Sequence, residues 1–330
     1  MYPAIKNKKV LVTGGAGFIG SHIVDELLKP ENNVSHVTVI DNLITGKEEN
    51  ISHHFDNPKF TFYKMDIRNK DICTLVTKDI DIICHQAALG SVPRSMNDPV
   101  TSFQHNINGN ANLLQAAREN NVPRFVYASS SSVYGTDHHT KKIEKYLGEP
   151  LSPYAISKLV NEQMARIYEK NYNIEAVGLR YFNIFGPRQD PNGPYAAVIP
   201  KFIQQMLKGK RCTINGDGNF TRDFTYVSNA VHANMLAMTT HKKTCFGNSF
   251  NVSCGGNTSI NSLHDTIAQS LNLEIEPEYG PERPGDVPNS MAHLGVSKEH
   301  LQYIPEVTFK MGIEKTVEWF KDNEKYKSKK

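Results

Sequence analysis

The string Thr13-Gly-Gly-Ala-Gly-Phe-Ile-Gly20 constrains what this chain can fold into more than any other. It follows the apolar run Lys9-Val-Leu-Val-Thr13, which reads as a strand. It opens a stretch from Phe18 to Leu28 whose apolar residues recur at helical spacing. Strand, glycine turn and helix in that order make a phosphate-binding loop. Gly14 and Gly17 permit the tight turn and the close approach of a pyrophosphate, and Gly20 lets helix and strand pack together. The free amides and positive dipole of the helix start, at Phe18 and Ile19, then face the phosphates.

The next strand run, Val37-Thr-Val-Ile-Asp41, ends in a carboxylate 21 residues beyond Gly20. An acid there can hold both hydroxyls of an adenosine ribose and repel a 2′-phosphate, so the cofactor expected is NAD and not NADP. The plainer reading of Asp41, a cap on the following turn, is disfavoured by the glycine loop upstream. Strand runs at Phe60–Tyr63, Asp81–His85, Phe125–Ser129 and Ala176–Arg180 alternate with helical stretches that include Ser102–Asn120 and Pro153–Asn171. Such alternation predicts an α/β fold, a doubly wound parallel sheet covered on both faces. After Tyr181 the chain turns to Pro- and Gly-rich loops: Phe185-Gly-Pro-Arg188, Asp190-Pro-Asn-Gly-Pro194 and Gly280-Pro-Glu-Arg-Pro-Gly285. Residues 1–181 are therefore read as a dinucleotide-binding domain. Residues 182–330 are read mainly as a smaller substrate lobe over the carboxyl ends of the strands, with some segments returning to the first domain.

Composition supplies exclusions. Lys plus Arg total 37 against Asp plus Glu 34, and the net charge of +3 gives no reason to invoke nucleic acid or a membrane surface. No apolar run is long enough to span a bilayer, and the amino-terminal segment has no signal-peptide core. The five cysteines (Cys73, Cys84, Cys212, Cys245, Cys254) are scattered without a Cys-x-x-Cys, so a reduced, cytoplasmic setting is expected. The pairs His53-His54 and His138-His139 lack ligand company at helical spacing, and no metal is expected.

Tyr154-Ala-Ile-Ser-Lys158 carries the chemistry. On a helix, Tyr154 and Lys158 stand one turn apart on one face. An ammonium beside a phenol lowers the phenol's pKa towards neutral, which makes the tyrosine a general base for a sugar or alcohol hydroxyl. The pair alone recurs by chance on surface helices; the glycine loop and the serine run Ser129–Ser132 give it meaning. With these strings in place, the chain resembles the extended short-chain dehydrogenase/reductase superfamily and, within it, the nucleotide-sugar 4-epimerases. The resemblance rests on Thr13–Gly20, Gln86-Ala-Ala88, Ser129-Ser-Ser-Ser-Val-Tyr-Gly135, Tyr154–Lys158, Tyr181-Phe-Asn-Ile-Phe-Gly-Pro-Arg188, Gly216-Asp-Gly218 with Arg222-Asp223, and Arg283-Pro-Gly-Asp286. It covers nearly the whole length. Gly90-Ser-Val-Pro-Arg-Ser95 and Arg188-Gln-Asp-Pro-Asn-Gly-Pro-Tyr-Ala-Ala-Val-Ile-Pro200 make it most like bacterial UDP-N-acetylglucosamine 4-epimerases of surface-polysaccharide pathways.

The resemblance implies a mechanism. Tyr154 takes the proton of the sugar 4-hydroxyl while the C4 hydride passes to NAD⁺; the 4-keto sugar turns over and hydride returns to its opposite face. The cofactor is regenerated in each cycle and stays tightly bound. Lys158 binds the nicotinamide ribose. Ser130 shares the sugar hydroxyl, with Ser131 and Ser132 lining the same pocket and the register of the four-serine run open by one place. By the same resemblance Asp66 and Ile67 lie near the adenine and Ala87 and Ala88 near the pyrophosphate, and Asn42, Gly46 and Gln86 are cofactor-binding positions. Asn106, Ser129 and Tyr181 belong to the cofactor pocket. Arg222 and Arg283 match the family's diphosphate-binding arginines, and Asn183, Ala197, Val198, Asn215 and Asp286 match its phosphate, uracil or ribose positions.

Seven residues after Arg283 the family carries a residue whose bulk decides whether a 2-acetamido sugar can rotate; here it is Ser290. With Gly90, Ser91, Ser132, Asn183, Gln189 and Ala197, this small side chain implies interconversion of UDP-GlcNAc and UDP-GalNAc. The chain departs from many relatives in reading Ala292-His293 where they have Ala-Asp. UDP-N-acetylglucosaminuronic acid is the competing substrate, with Arg94, Arg188 and Ser91 as donors for its carboxylate, and a bifunctional UDP-Glc/UDP-GlcNAc epimerase is a further one. A 4,6-dehydratase needs a Thr-Asp-Glu string where this chain has Ser130-Ser-Ser132, and a non-catalytic nucleotide sensor would have lost the Tyr/Lys pair. The family also implies a homodimer through Ser102–Asn120 and Pro153–Asn171, although packing on the parent sheet accounts equally for their amphipathic pattern.

Overall fold

The computed structural model describes residues 2–193, 195–282 and 289–323. Its strands in chain order are β1 (Lys9–Thr13), β2 (His36–Asp41), β3 (Phe60–Lys64), β4 (Ile82–His85), β5 (Arg124–Ser130), β6 (Lys141–Lys142), β7 (Glu175–Tyr181) and β8 (Ile184–Phe185). They continue with β9 (Thr213–Asn215), β10 (Thr221–Arg222), β11 (Thr225–Tyr226), β12 (Asn248–Val252), β13 (Thr258–Ser259), β14 (Glu278–Gly280) and β15 (Asn289–Ala292). The helices are α1 (Phe18–Leu27), α2 (Lys70–Val76), α3 (Val92–Asn97), α4 (Pro99–Phe103), α5 (Gly109–Glu119), α6 (Pro153–Tyr172), α7 (Val198–Leu207), α8 (Val227–Thr239), α9 (Ile260–Leu271) and α10 (Phe309–Asp322).

Seven parallel strands form the main sheet in the order β12-β7-β5-β4-β1-β2-β3. Val10, Leu11 and Val12 of β1 are all fully buried, as a strand covered on both faces requires. Val10, Val12 and Val39 pack with Ile23, Val24 and Leu27 of α1 and Met235 of α8. On the other face Leu11, Ile83 and Phe125 pack with Leu113 and Leu114 of α5 and Ala165 of α6. The strand order reverses between β1 and β4, which opens a crevice at their carboxyl ends. A separate core of Phe185, Phe202, Phe224, Ile267 and Phe320 sits under α7, α9 and α10. Two elements beyond residue 181, α8 and β12, join the sheet layer: β12 pairs with β7 and α8 packs on α1.

Ser102–Asn120 is expected to be one helix, but α4 and α5 are joined by a π turn at Gln104–Asn108. Such turns re-aim side chains. Here the carboxamide of buried Asn106 accepts from Leu89 N at 2.8 Å and donates to Leu89 O at 3.2 Å and Ser157 Oγ at 3.2 Å. It thereby ties the pocket-wall segment at Leu89 to α6. A small sheet, β13-β10-β15-β6, then brings Arg222 into register with Ser290 and Lys142 with Ala292.

Candidate active site

The glycine loop, the carboxyl ends of the central strands and the start of α6 enclose a cavity of about 950 Å³, at the top of the range for small-molecule sites. At one end Gly14, Gly17, Phe18, Ile19 and Gly20 line it. Gly14 has φ 67°, and a Cβ there would come within 2.7 Å of Ala87 backbone. A Cβ on Gly20 would lie 2.1 Å from Gly14 O. Both positions therefore demand glycine. Gly17 caps α1 without a side-chain hydrogen bond, so the first-turn amides remain available to an anion.

Asp41 ends β2 in the cavity wall. Its Oδ2 accepts from Ala16 N at 3.0 Å and its Oδ1 from Leu43 N at 2.8 Å, which locks the glycine loop to β2. Each oxygen retains a second lone pair for a ribose hydroxyl. Burial raises the carboxyl pKa against these two bonds. Gly46 backs it, since a Cβ there would meet Asp41 Oδ2 at 2.7 Å. Asn42 and Ile67 line the cavity, but Asp66 does not: its carboxylate holds Asn42 at 2.9 Å and Arg68 at 2.8 Å. Gln86, Ala87 and Ala88 lie along the wall. Buried Asn106 acts through Leu89 and does not reach the cavity.

At the other end α6 begins at Ser152, whose hydroxyl accepts from Ala155 N at 3.1 Å, with Pro153 in the first turn. This cap aims Tyr154 and Lys158 into the cavity. Lys158 is buried, and its Nζ lies 5.8 Å from the Tyr154 ring centroid while donating to Ala128 O at 2.8 Å. The expectation that this ammonium lowers the phenol needs correction. Burial pushes the Tyr154 phenol up, and the neighbouring Ser130 hydroxyl is the group that pulls it down. Desolvation also pulls Lys158 down to about 8, opposed by the charge of Glu162. Tyr154 and Lys158 both line the cavity that would hold NAD⁺, and the positive charge of its nicotinamide would favour the phenolate.

The serines of Ser129–Ser132 divide their work. Ser130 stands beside Tyr154 and accepts from Ser132 N at 3.2 Å and Ser132 Oγ at 3.0 Å. Ser129 lines the cavity, while its hydroxyl is committed to Glu162, donating to Oε1 at 2.5 Å. Ser131 and Ser132 line the cavity, as do Gly90, Ser91, Asn183, Gln189, Arg222 and Ser290. Ser91 holds φ 108°, a strained conformation for a residue with a side chain. Ala197 precedes α7, Val198 opens it and Asn215 ends β9; none of the three lines the cavity. Arg283 and Asp286 lie outside the described residues.

A match to the NAD dependent epimerase/dehydratase family extends over residues 10–253. The chain belongs to that family. The UDP-glucose 4-epimerase of Mycolicibacterium smegmatis is 37% identical to it over 95% of this chain and 99% of its own. The solved UDP-N-acetylglucosamine 4-epimerase of Methanobrevibacter ruminantium, in complex with UDP-N-acetylmuramic acid, is 40% identical over 96% and 99% of the two chains, with a TM-score of 0.90. The UDP-glucuronic acid 4-epimerase of Bacillus cereus, solved with UDP-glucuronic acid and NAD, is 34% identical over 95% and 99%, with a TM-score of 0.87. NAD is the cofactor of the family, and the glycine cradle and Asp41 fit it.

For this epimerase/dehydratase chain the structure adds contacts that the sequence motifs did not signal. Tyr181 OH donates to Gln86 Oε1 at 2.9 Å and accepts from Asn234 Nδ2 at 2.7 Å, so α8 buttresses the cavity floor. Thr13 Oγ1 bonds His85 Nδ1 at 2.7 Å and accepts from Ala87 N at 3.3 Å, and burial pulls His85 down to about 3, so it stays neutral. Asp223, fully buried, accepts from Ala292, Cys254 and Gly256 amides at 3.1, 3.2 and 3.3 Å and binds the Ser290 strand to the segment bearing Arg222. His293 is exposed, and its imidazole accepts from Gly295 N at 3.2 Å within its own turn, while its backbone N donates to Lys142 O at 2.9 Å and its carbonyl accepts from Asn251 Nδ2 at 3.1 Å. Beside α1, His53 and His54 have company absent from their sequence surroundings: both Nε2 atoms meet Asp25 Oδ1, at 2.9 and 2.8 Å. Arg188 pairs with the other oxygen at 2.7 Å, so the group links α1 to the loop that carries Gln189. Among the described residues no helix is long and apolar enough to cross a membrane.

Proposed function

We propose that this protein is an NAD-dependent UDP-sugar 4-epimerase whose substrates are UDP-GlcNAc and UDP-GalNAc. Bound NAD⁺ supplies the hydride acceptor and donor. Tyr154, with the Ser130 hydroxyl beside it, would take the proton from the 4-hydroxyl as hydride leaves C4, and would return that proton to the 4-oxygen as hydride comes back to the opposite face of the 4-keto sugar. Lys158, fixed on Ala128 O, holds the cofactor ribose and adds positive charge beside the phenol. Arg222 faces the diphosphate, for which a guanidinium fork is suited.

The observation that carries the substrate choice is Ser290, a small side chain in the cavity wall, in register with Arg222. It leaves volume for an acetamido group that a tyrosine would fill. The uronic acid reading has less support. Of its named donors only Ser91 lines the cavity; Arg188 is paired with Asp25 at 2.7 Å, and Arg94 lies over the Tyr195 ring at 5.1 Å. The 1–181 and 182–330 division is proposed as a functional one, cofactor against substrate. A homodimer and a cytoplasmic setting remain part of the proposal.

The test is S290Y. It is expected to cut kcat/KM for UDP-GlcNAc by at least tenfold, about 1.4 kcal/mol, while UDP-Glc turnover stays within a few fold. Equal loss on both sugars, or no loss on either, overturns the assignment of Ser290.

A further inference from the structure

Beneath the Tyr154–Lys158 face, the same helix carries Glu162 one further turn on, and it is buried at 4% exposure. Buried carboxylates need partners, and this one has three donors. Arg180 of β7 grips it through Nε to Oε1 at 2.9 Å and Nη2 to Oε2 at 2.7 Å, and Ser129 Oγ donates to Oε1 at 2.5 Å. Arg180 is itself spent on Tyr134 OH at 3.1 Å and Glu144 O at 3.0 Å. Tyr134 OH continues to Asn251 Oδ1 at 2.6 Å, and Asn251 Nδ2 reaches Lys142 O and His293 O at 2.9 and 3.1 Å. One buried polar chain thus runs from the catalytic helix to the strands flanking Ser290.

Resting on the epimerase reading above, we propose that Glu162, clamped by Arg180 and Ser129, is a positioning residue that keeps Lys158 charged and fixes the Ser130 strand end against Tyr154. Ser129 and Ser130 are consecutive, so holding the first against Glu162 sets the direction of the second. Among the described residues no carboxylate is in hydrogen-bond contact with Lys158; its Nζ donates to the neutral carbonyl of Ala128. Around it stand Tyr154 and Glu162 on α6, the serines of β5, neutral His85 on β4, and Arg180 and Tyr181 on β7. Glu162 is the charge in that set that raises Lys158. Its removal lets desolvation act unopposed, and the ammonium loses its proton at lower pH.

The experiment compares wild type, E162Q and E162D as holoenzymes. Two quantities are read against pH: kcat/KM on the UDP-sugar that wild type converts, and NAD retained per protomer after gel filtration, which needs no substrate. E162Q is expected to shift the alkaline midpoint of both curves down by about one pH unit, roughly a fivefold loss at pH 8 with little change at pH 6. E162D, which keeps the charge, is expected to stay near the wild-type midpoint. If E162Q fails to fold, a double variant E162M with R180M replaces the pair by apolar groups, a change that folds commonly tolerate; because the Arg180 charge goes too, a downward shift smaller than one pH unit is expected, and an unmoved midpoint overturns the proposal. A uniform loss at every pH with unmoved midpoints overturns the proposal and leaves Glu162 a structural residue. If wild type converts no UDP-sugar, the epimerase reading fails, and the NAD curve still decides the role of Glu162.

Discussion

Replacing Gly20 with alanine tests the cofactor cradle at its tightest point. The new Cβ would lie 2.1 Å from Gly14 O, 2.8 Å from Gly14 C and 2.9 Å from Gly15 Cα. Non-bonded carbon contacts settle at about 3.5 Å or more, so the Gly14 carbonyl must withdraw by about 1 Å. It has nowhere to go. Gly14 N is bonded to Ile40 O at 2.8 Å, Gly14 O accepts from Gly17 N at 3.0 Å, and the loop already lies against Ala87. Overpacking of this kind costs about 1–3 kcal/mol, and each misaligned amide–phosphate bond forfeits about 1.5–3 kcal/mol more. Together these predict NAD affinity weakened by at least about 100-fold and a Tm lower by several degrees. The assay is NAD released per protomer on denaturation of the purified protein, with melting followed in parallel. Gly256→Ala is the control, because a Cβ there meets nothing within 4 Å and the residue lies outside the cavity wall. A G20A protein that carries as much NAD as wild type would refute the assignment of this loop to the pyrophosphate.

Further outcomes follow from the same geometry. Tyr154→Phe is expected to lower kcat by about 10²–10⁴, the usual worth of a general base, with bound NAD unchanged on spectroscopic assay. Lys158, pulled down to about 8 by burial, is charged below that value and loses its proton as pH rises through it. The kcat/KM profile should therefore fall on its alkaline side near pH 8, and a limb first appearing near pH 10 would contradict the desolvated site. Asp223→Ala leaves the Ala292, Cys254 and Gly256 amides without their acceptor. At about 1–3 kcal/mol for each unsatisfied group, chemical denaturation should show a loss of several kcal/mol, and a loss below about 1 kcal/mol would mean that the loops re-pair elsewhere.

Much of the fold was legible because its signals are local. Lys9–Thr13 and the glycine string fix a strand, a turn and a helix within one span, and the apolar runs mark five more strands of the main sheet to within a residue or two. The edge strand beyond β7, β12, lies in the part read as a loop-built lobe and was missed. Tyr154 and Lys158 could be placed on one helical face from their spacing alone. What spacing cannot supply is the environment. The same burial that brings the pair together penalises both charged forms, so the lysine's effect on the tyrosine was overstated. The division between Ser129 and Ser130 depends on Glu162, 33 residues from Ser129, and no local pattern encodes it. The π turn that aims Asn106 at Leu89 is likewise invisible in a run that reads as continuous helix. The meeting of Asp25 with His53 and His54 arises from tertiary packing of α1 against a later loop.

The most direct test of the central claim is to incubate the purified protein with UDP-GlcNAc, with no NAD added, and to separate the nucleotide sugars by chromatography. Formation of UDP-GalNAc is predicted, since the cofactor is resident and restored in every cycle. Absence of conversion even after NAD is supplied, with UDP-N-acetylglucosaminuronic acid or UDP-Glc turned over instead, would contradict the substrate assigned to the Ser290 pocket.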